Sequence, residues 1–233
     1  MKKAIETFAR FGILLSLVTG CLAATQQPAP KGERMDVIRL PEPRRQSNVS
    51  VESALQSRRS VREYRDEPLT LSDVSQLLWA AQGFTGPEGA RTAPSAGALY
   101  PLEVYLVAGH VNDLATGIYK YRAHGHELVR IAEGDKRASL ASAALDQDCV
   151  RNGAVTVVLA AVYERVTKKY GQRGVMYVHM EAGHAAQNVH LQAVALNLGT
   201  VVVGAFEDEQ VKKILSMPSD EQPLYLMPVG RPR

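Results

Sequence analysis

Residues 175–198 run apolar nearly all round, and no other stretch constrains the fold as tightly. A helix of that length without a polar face must be covered on every side, so it belongs at the centre of the molecule. Ala182, Gly183, Ala185 and Ala186 keep part of it thin enough for something broad to pack against. The next constraint is residues 154–162, an unbroken apolar run rich in β-branched residues, which reads as a buried strand. Residues 200–204 read as another buried strand and 224–230 as the last one. Helices and strands mix without a strict βαβ rhythm, which predicts an α+β domain around one sheet.

The remaining elements are marked by local punctuation. Ser50 caps a short helix that runs to about Ser57. Thr70 with Asp73 three residues later makes a capping signature, and Leu71, Val74, Leu77, Leu78 and Ala81 form one apolar face that stops at Gly83. A glycine-rich loop follows to Gly89. Residues 103–107 read as a strand, 118–121 and 128–131 as a hairpin joined through Gly125, and about 136–145 as a helix. A polar helix carries Glu164, Arg165, Lys168, Lys169 and Tyr170 and ends at Gly171, and Asp208 and Glu209 open a short helix that stops before Pro218. There is no internal repeat and no strand, glycine-rich turn and helix of the dinucleotide or P-loop kind.

Two stretches carry chemistry. Arg58, Arg59, Ser60 and Arg62 place three guanidinium groups and a hydroxyl within five residues, at a corner between two helices. Arginine binds phosphate through a planar fork of donors, so the corner suits a monophosphate; the alternative is a solvated basic patch. Between Pro94 and Pro101 lie Ser95, Ala96, Gly97 and Ala98, small residues that let a flat molecule approach the backbone; the alternative is a plain turn into the next strand. His179, Glu181 and His184 look like metal ligands, but i, i+2 and i+5 do not share one helical face, so no metal site is expected.

Composition suits one globular domain: 233 residues, 45% hydrophobic and 22% charged. The formal charge is +3; Lys2, Lys3 and Arg10 against Glu6 give the first twenty residues +2 and leave +1 for the rest, so no nucleic-acid footprint is expected. Residues 1–20 have a basic start, an apolar run from Phe11 to Val18 and small residues before Cys21, which reads as a secretory signal. Val18, Thr19, Gly20 and Cys21 resemble a lipobox, which implies cleavage before Cys21 and its acylation, hence an exported, membrane-anchored lipoprotein at the periplasmic or cell surface. The alternative is an ordinary signal cut near Ala23 and Ala24. Cys149 is then the remaining cysteine and reads as a buried small hydrophobe. Residues 21–49, with Pro28, Pro30, Pro41 and Pro43, read as an extended tether, and the folded domain is expected over 50–233.

Four stretches together resemble the nitroreductase superfamily: residues 58–62, 94–101, 181–188 (Glu-Ala-Gly-His-Ala-Ala-Gln-Asn) and 197–204. The wording Pro-Ser-Ala-Gly-Ala-Leu-Tyr-Pro resembles the SagB-type branch, the azoline dehydrogenases. The resemblance implies a nitroreductase-like fold with a central mixed sheet flanked by helices and the long helix buried. It also implies a non-covalently held flavin mononucleotide (FMN) and a homodimer with its two sites at the subunit interface. By matching position, Arg58, Arg59 and Ser60 hold the phosphate and ribityl chain, and Arg62 approaches the pyrimidine edge of the flavin. A cation at that edge stabilises the charge left by reduction. Pro94, Ser95, Ala96 and Gly97 lie along the ring, Gly199 and Gly204 bring backbone near it, and Arg231 returns to the phosphate.

Ala98 stands where many nitroreductases carry an asparagine, which suits the SagB-type branch. Lys169 and Tyr170 match the Lys-Tyr pair implicated there in azoline oxidation, where a positioned base takes a proton as hydride leaves for the flavin. Their alternative is a solvated helix end. An exported protein would lack the cytoplasmic partner of azoline dehydrogenases and ready access to NAD(P)H, so the substrate is expected to be a small molecule or a peptide-derived group that need not be an azoline. The rival readings are an NAD(P)H-dependent nitro or quinone reductase and a catalytically idle, anchored flavin-binding module.

Overall fold

The computed structural model describes residues 36–86 and 89–233. Seven strands form one sheet: β1 (Val37–Arg39), β2 (Leu102–Ala108), β3 (Gly117–Arg122), β4 (Glu127–Glu133), β5 (Val155–Val162), β6 (Gly199–Thr200) and β7 (Glu221–Gly230). Their order across the sheet is β1-β4-β3-β2-β5-β7-β6. Around them lie α1 (Val51–Ser57), α2 (Leu71–Gln82), α3 (Arg137–Ala143), α4 (Asp148–Asn152), α5 (Glu164–Tyr170), α6 (Arg173–Ala195) and α7 (Asp208–Leu215). The α+β class is as expected, but the sheet is antiparallel at every strand pair rather than mixed. Short connections join β2 to β3 and β3 to β4, and such connections dictate antiparallel neighbours. Parallel contact is confined to single bridges, Ser60 with Thr200 and Leu69 with Val111.

The sheet is apolar on both faces because both are covered. All eight residues of β5 are buried. Alternation then sorts them: Val155, Val157, Leu159 and Ala161 join one core cluster with residues of α2 and α6, while Val158 and Ala160 join a second with residues of α3, α4 and α7. β2 divides the same way, with Leu102, Val104 and Leu106 on the first side and Tyr105 and Val107 on the second.

The long helix is amphipathic rather than apolar all round. Val178, Ala182, Ala185, Ala186, Val189 and Ala193 repeat at helical spacing and pack on the sheet, whereas Met176 and Met180 are 45% and 47% exposed. The expected strand at 200–204 is mostly not one: pairing of β6 with β7 stops after Thr200 opposite Val229, then resumes as one bridge between Val203 and Leu226 in the same register. Extending that register puts Val201 opposite Pro228, which has no N–H to donate, and this breaks the ladder.

The expected start of the domain near Ser50 is also corrected. β1 pairs with β4, Leu40 is 4% exposed and donates its N–H to His126 O at 3.0 Å, and Arg44 N donates to Gln76 Oε1 at 2.8 Å. Residues 36–49, the later part of the expected tether, therefore belong to the fold. The expected signal peptide, Cys21 and the expected tether as far as residue 35 lie outside the described residues.

Candidate active site

The loop at 94–101 is held in a conformation that its residues would not adopt alone. A 3₁₀ turn spans Ala96–Ala98, and Gly97, Ala98 and Tyr100 have φ of 63°, 55° and 46°. Left-handed backbone costs a non-glycine residue about 1 kcal/mol or more, so two such residues so close together need outside support. Ser95 Oγ accepts from Tyr100 N at 2.8 Å, and Glu181 Oε1, from α6, accepts from Ala96 N at 2.8 Å. Arg165 Nη1, on α5, donates to Tyr100 O at 3.1 Å, and Asn188 Nδ2 donates to Thr92 O at 3.0 Å.

Lys169 and Tyr170 reach this loop from the last turn of α5. A Cβ on Gly97 would lie 2.7 Å from Tyr170 Oη and 2.9 Å from Lys169 Nζ, so only glycine leaves room for both. Tyr170 is held edge-to-face against Tyr177 with centroids 5.3 Å apart. Lys168, one residue earlier, pairs with Glu164 at 3.0 Å, and Lys169, though it reaches the loop, is exposed as well. Beside the loop, Pro94, Ser95, Ala96, Tyr177, Met180, Glu181 and His184 line a cavity of about 280 Å³.

Glu181 is the residue whose role sequence reasoning missed: it was weighed as a metal ligand and counted in a family-like stretch, but not as a support of the loop. It is 4% exposed. Burial raises its carboxyl above the ordinary value, and the bonds from Ala96 N and Ser95 oppose the rise. The available signal was a carboxylate among alanines that face the core.

The arginine corner follows α1 and is fixed by backbone: Arg58 N donates to Ala54 O at 2.9 Å and Val61 N to Thr200 O at 3.0 Å. Arg59 Nη1 donates to the carbonyls of Gln56 and Arg58, both at 2.8 Å. Among the described residues none of Arg58, Arg59 and Arg62 is ion-paired. Burial, and secondarily the charge of Arg58, pushes the imidazole of His190 down. Arg62 is exposed, and its charge works against the burial that raises the Tyr64 hydroxyl and the Cys149 thiol.

The structure thus gathers the expected residues into two groups. Ser95, Ala96, Gly97, Lys169 and Tyr170 meet near Glu181, while Arg58, Arg59 and Ser60 lie toward His190 and Thr200. Glu181 and His190 are nine residues apart on α6, about 13 Å of helix rise. Pro94 lines the cavity with Ser95 and Ala96, and Gly199 packs against Val61 in the arginine corner, whereas Gly204 and Arg231 face other residues. A Cβ on Gly199 would sit 2.6 Å from Val61 Cγ1, so its glycine serves packing. Gly204 is exposed, and a Cβ added there would meet nothing closer than Tyr225 Cε1 at 3.8 Å. Arg231 points to Glu67 and Asp73, at 3.7 and 3.5 Å.

Fold and site together define the class as an α+β oxidoreductase domain with a nitroreductase-like fold. The Nitroreductase family model matches residues 55–231, and the chain belongs to that family. It is 48% identical over 200 residues, covering 86% of this chain and 98% of the relative, to a protein named as a nitroreductase in Methanocaldococcus jannaschii. Two further relatives are the trifolitoxin operon protein TfxC of Rhizobium leguminosarum bv. trifolii (25% identity, 85% of this chain and 60% of TfxC) and the microcin B17-processing protein McbC of Escherichia coli (27%, 64% and 57%). The chain therefore spans about three fifths of the length of those two. A solved structure named as a nitroreductase from Ralstonia eutropha matches with TM-score 0.75, 30% identity, 87% of this chain and 92% of that one. One from Anabaena variabilis matches with TM-score 0.70 and 32% identity over 78% of this chain but 38% of that one.

Proposed function

We propose that this protein is an FMN-dependent, SagB-type dehydrogenase in which Lys169 and Tyr170 manage the proton while hydride passes between a small-molecule or peptide-derived substrate and the flavin. The observation that carries this is the meeting of both side chains at Gly97, in a loop whose backbone is strained and supported from three sides. When bound, FMN supplies a two-electron carrier. The residues present fit such a group: the arginines of the corner have no carboxylate partner among the described residues, and the small-residue loop leaves room beside Glu181. Arg58 and Arg59 bind the phosphate, Ser60 offers a hydroxyl to the ribityl chain, and Arg62 faces the pyrimidine edge. Pro94, Ser95, Ala96 and Gly97 lie along the ring, with the backbone of Gly199 nearby. Arg231 is dropped from the phosphate set because its guanidinium is engaged by two carboxylates.

The separation of the two groups along α6 favours a site completed by a second copy, so the proposal includes a homodimer. It also includes export and a lipid anchor at Cys21, which a Cys21→Ser variant that no longer incorporates labelled palmitate would support.

The test is an absorbance spectrum of the purified protein with and without added FMN. A bound-flavin spectrum that is lost in Arg58→Ala/Arg59→Ala supports the reading, and a colourless protein that ignores FMN overturns it in favour of an idle module. Lys169→Ala should keep the spectrum and lose turnover. The relative named as a nitroreductase favours a second reading, an NAD(P)H-dependent nitro or quinone reductase. Steady oxidation of NAD(P)H with a nitro or quinone acceptor, undiminished in Lys169→Ala, would select it.

A further inference from the structure

We propose that the cavity where the end of α2, Arg91 and strands β2 and β3 meet binds a small amphipathic carboxylate, with Arg91 as the anchoring cation. This cavity of about 470 Å³ is large enough for a small organic molecule and shares no lining residue with the one beside the 94–101 loop. Its walls combine Phe84, Leu102, Val104 and Ala123 with Arg91 and Lys120.

The charges in and around it are unevenly matched. Lys120 is held by Glu221 and, at 3.1 Å, by Glu103; Glu103 also takes Arg165 at 2.5 Å; Arg122 is paired with Glu127 at 3.6 Å. Arg91 has no carboxylate partner among the described residues. Its Nη1 donates to Gln82 Oε1 at 3.1 Å, while its Nε is buried with no acceptor. Its guanidinium lies over the rings of Phe84 and Tyr100, at 5.2 and 4.6 Å, and burial lowers its pKa, the mark of a cation short of solvent.

Nε is out of a ligand's reach, but Nη2 makes no hydrogen bond among the described residues and is not buried, so the Nη1–Nη2 edge of Arg91 is left for a carboxylate to bind through two oxygens. Among the described residues one positive charge is left over, which matches one negative charge; Glu103, itself in the cavity lining, and Glu221 would repel a phosphate dianion more strongly than a monoanion. The apolar walls call for a hydrocarbon or aromatic body behind the carboxylate.

Benzoate and its neutral isostere benzamide, titrated into the full chain with and without FMN and followed by amide chemical shifts, test this. Benzoate should shift the amides of residues 102–104 and 120–123 saturably in both states. Benzamide should bind at least about tenfold more weakly, because it lacks the charge-assisted pair. Arg91→Lys, which keeps the charge and loses the planar fork, should weaken benzoate about tenfold. If that variant does not fold, the benzoate and benzamide comparison in the parent protein decides alone. Equal affinity for the two probes, shifts confined to residues 94–97, no shifts at all, or displacement of benzoate by FMN would each overturn the proposal.

Discussion

Glu181 and Gly97 show how single atoms set the candidate site. Burial disfavours the ionised form of Glu181 and raises its carboxyl above the ordinary 4.5, against the pull of Ala96 N and Ser95. A folded-state pKa above the unfolded one makes this group's stabilisation fullest below the unfolded pKa, and it is lost as pH rises through the folded value. Glu181→Gln cannot ionise and keeps a carbonyl for Ala96 N. Its urea midpoint should therefore improve relative to the parent as pH rises from about 4 to about 7; a gap that does not change with pH would count against a buried, ionising Glu181. Gly97→Ala adds a methyl against Tyr170 Oη and Lys169 Nζ, and places it on backbone with φ of 63°. Both contacts are ends of mobile side chains, so the cost should stay near 1–2 kcal/mol in urea unfolding, while Lys169 and Tyr170 are pushed off the loop.

Elements differ in how much of their own fate they carry. Helix α2 is decided within four residues: Thr70 Oγ1 accepts from Asp73 N at 3.1 Å and Asp73 Oδ2 from Thr70 N at 3.0 Å. Thr70→Ala should cost about 1 kcal/mol, read as a lower urea midpoint. That is why α2 was legible from sequence alone, as was β5, whose eight buried residues leave no charge to misread. Strand β6 was not, because what ends it is Pro228 on a neighbour whose register no local pattern reveals. Hydrogen exchange should protect the Val203 amide, which donates to Leu226 O at 2.8 Å, and leave that of Val202 open. The candidate site divides the same way. Composition picked out the arginine corner and the small-residue loop, but charge pattern could not separate Lys168 from Lys169. Only the resemblance singled out Lys169, since its partner Gly97 lies far away in the chain. The ion pairs of Arg231 with Glu67 and Asp73 were equally hidden, because both partners lie far away in the chain.

For the whole molecule, the fold begins earlier than the proline-rich composition suggests. A chain starting at Ser50 loses β1, the buried Leu40 and the carbonyl of Pro41, which accepts from Ser75 Oγ at 2.5 Å. Loss of Leu40 burial alone should lower stability by about 1.5–3 kcal/mol against a chain starting at Asp36, measured by urea unfolding of the two. The proposed dimer has its natural surface on α6, where Met176 and Met180 face outward. Met176→Glu with Met180→Glu should yield a monomer in sedimentation, while a parent that is itself monomeric at all concentrations would remove the dimer from the proposal.

The two borders of the sheet are its shortest strands, three residues in β1 and two in β6. Each offers too few free amides and carbonyls to template another chain, so the molecule is guarded against growing into ribbons and fibrils by strand addition. Association is thereby steered to its helices, where a closed pair can form and then stop.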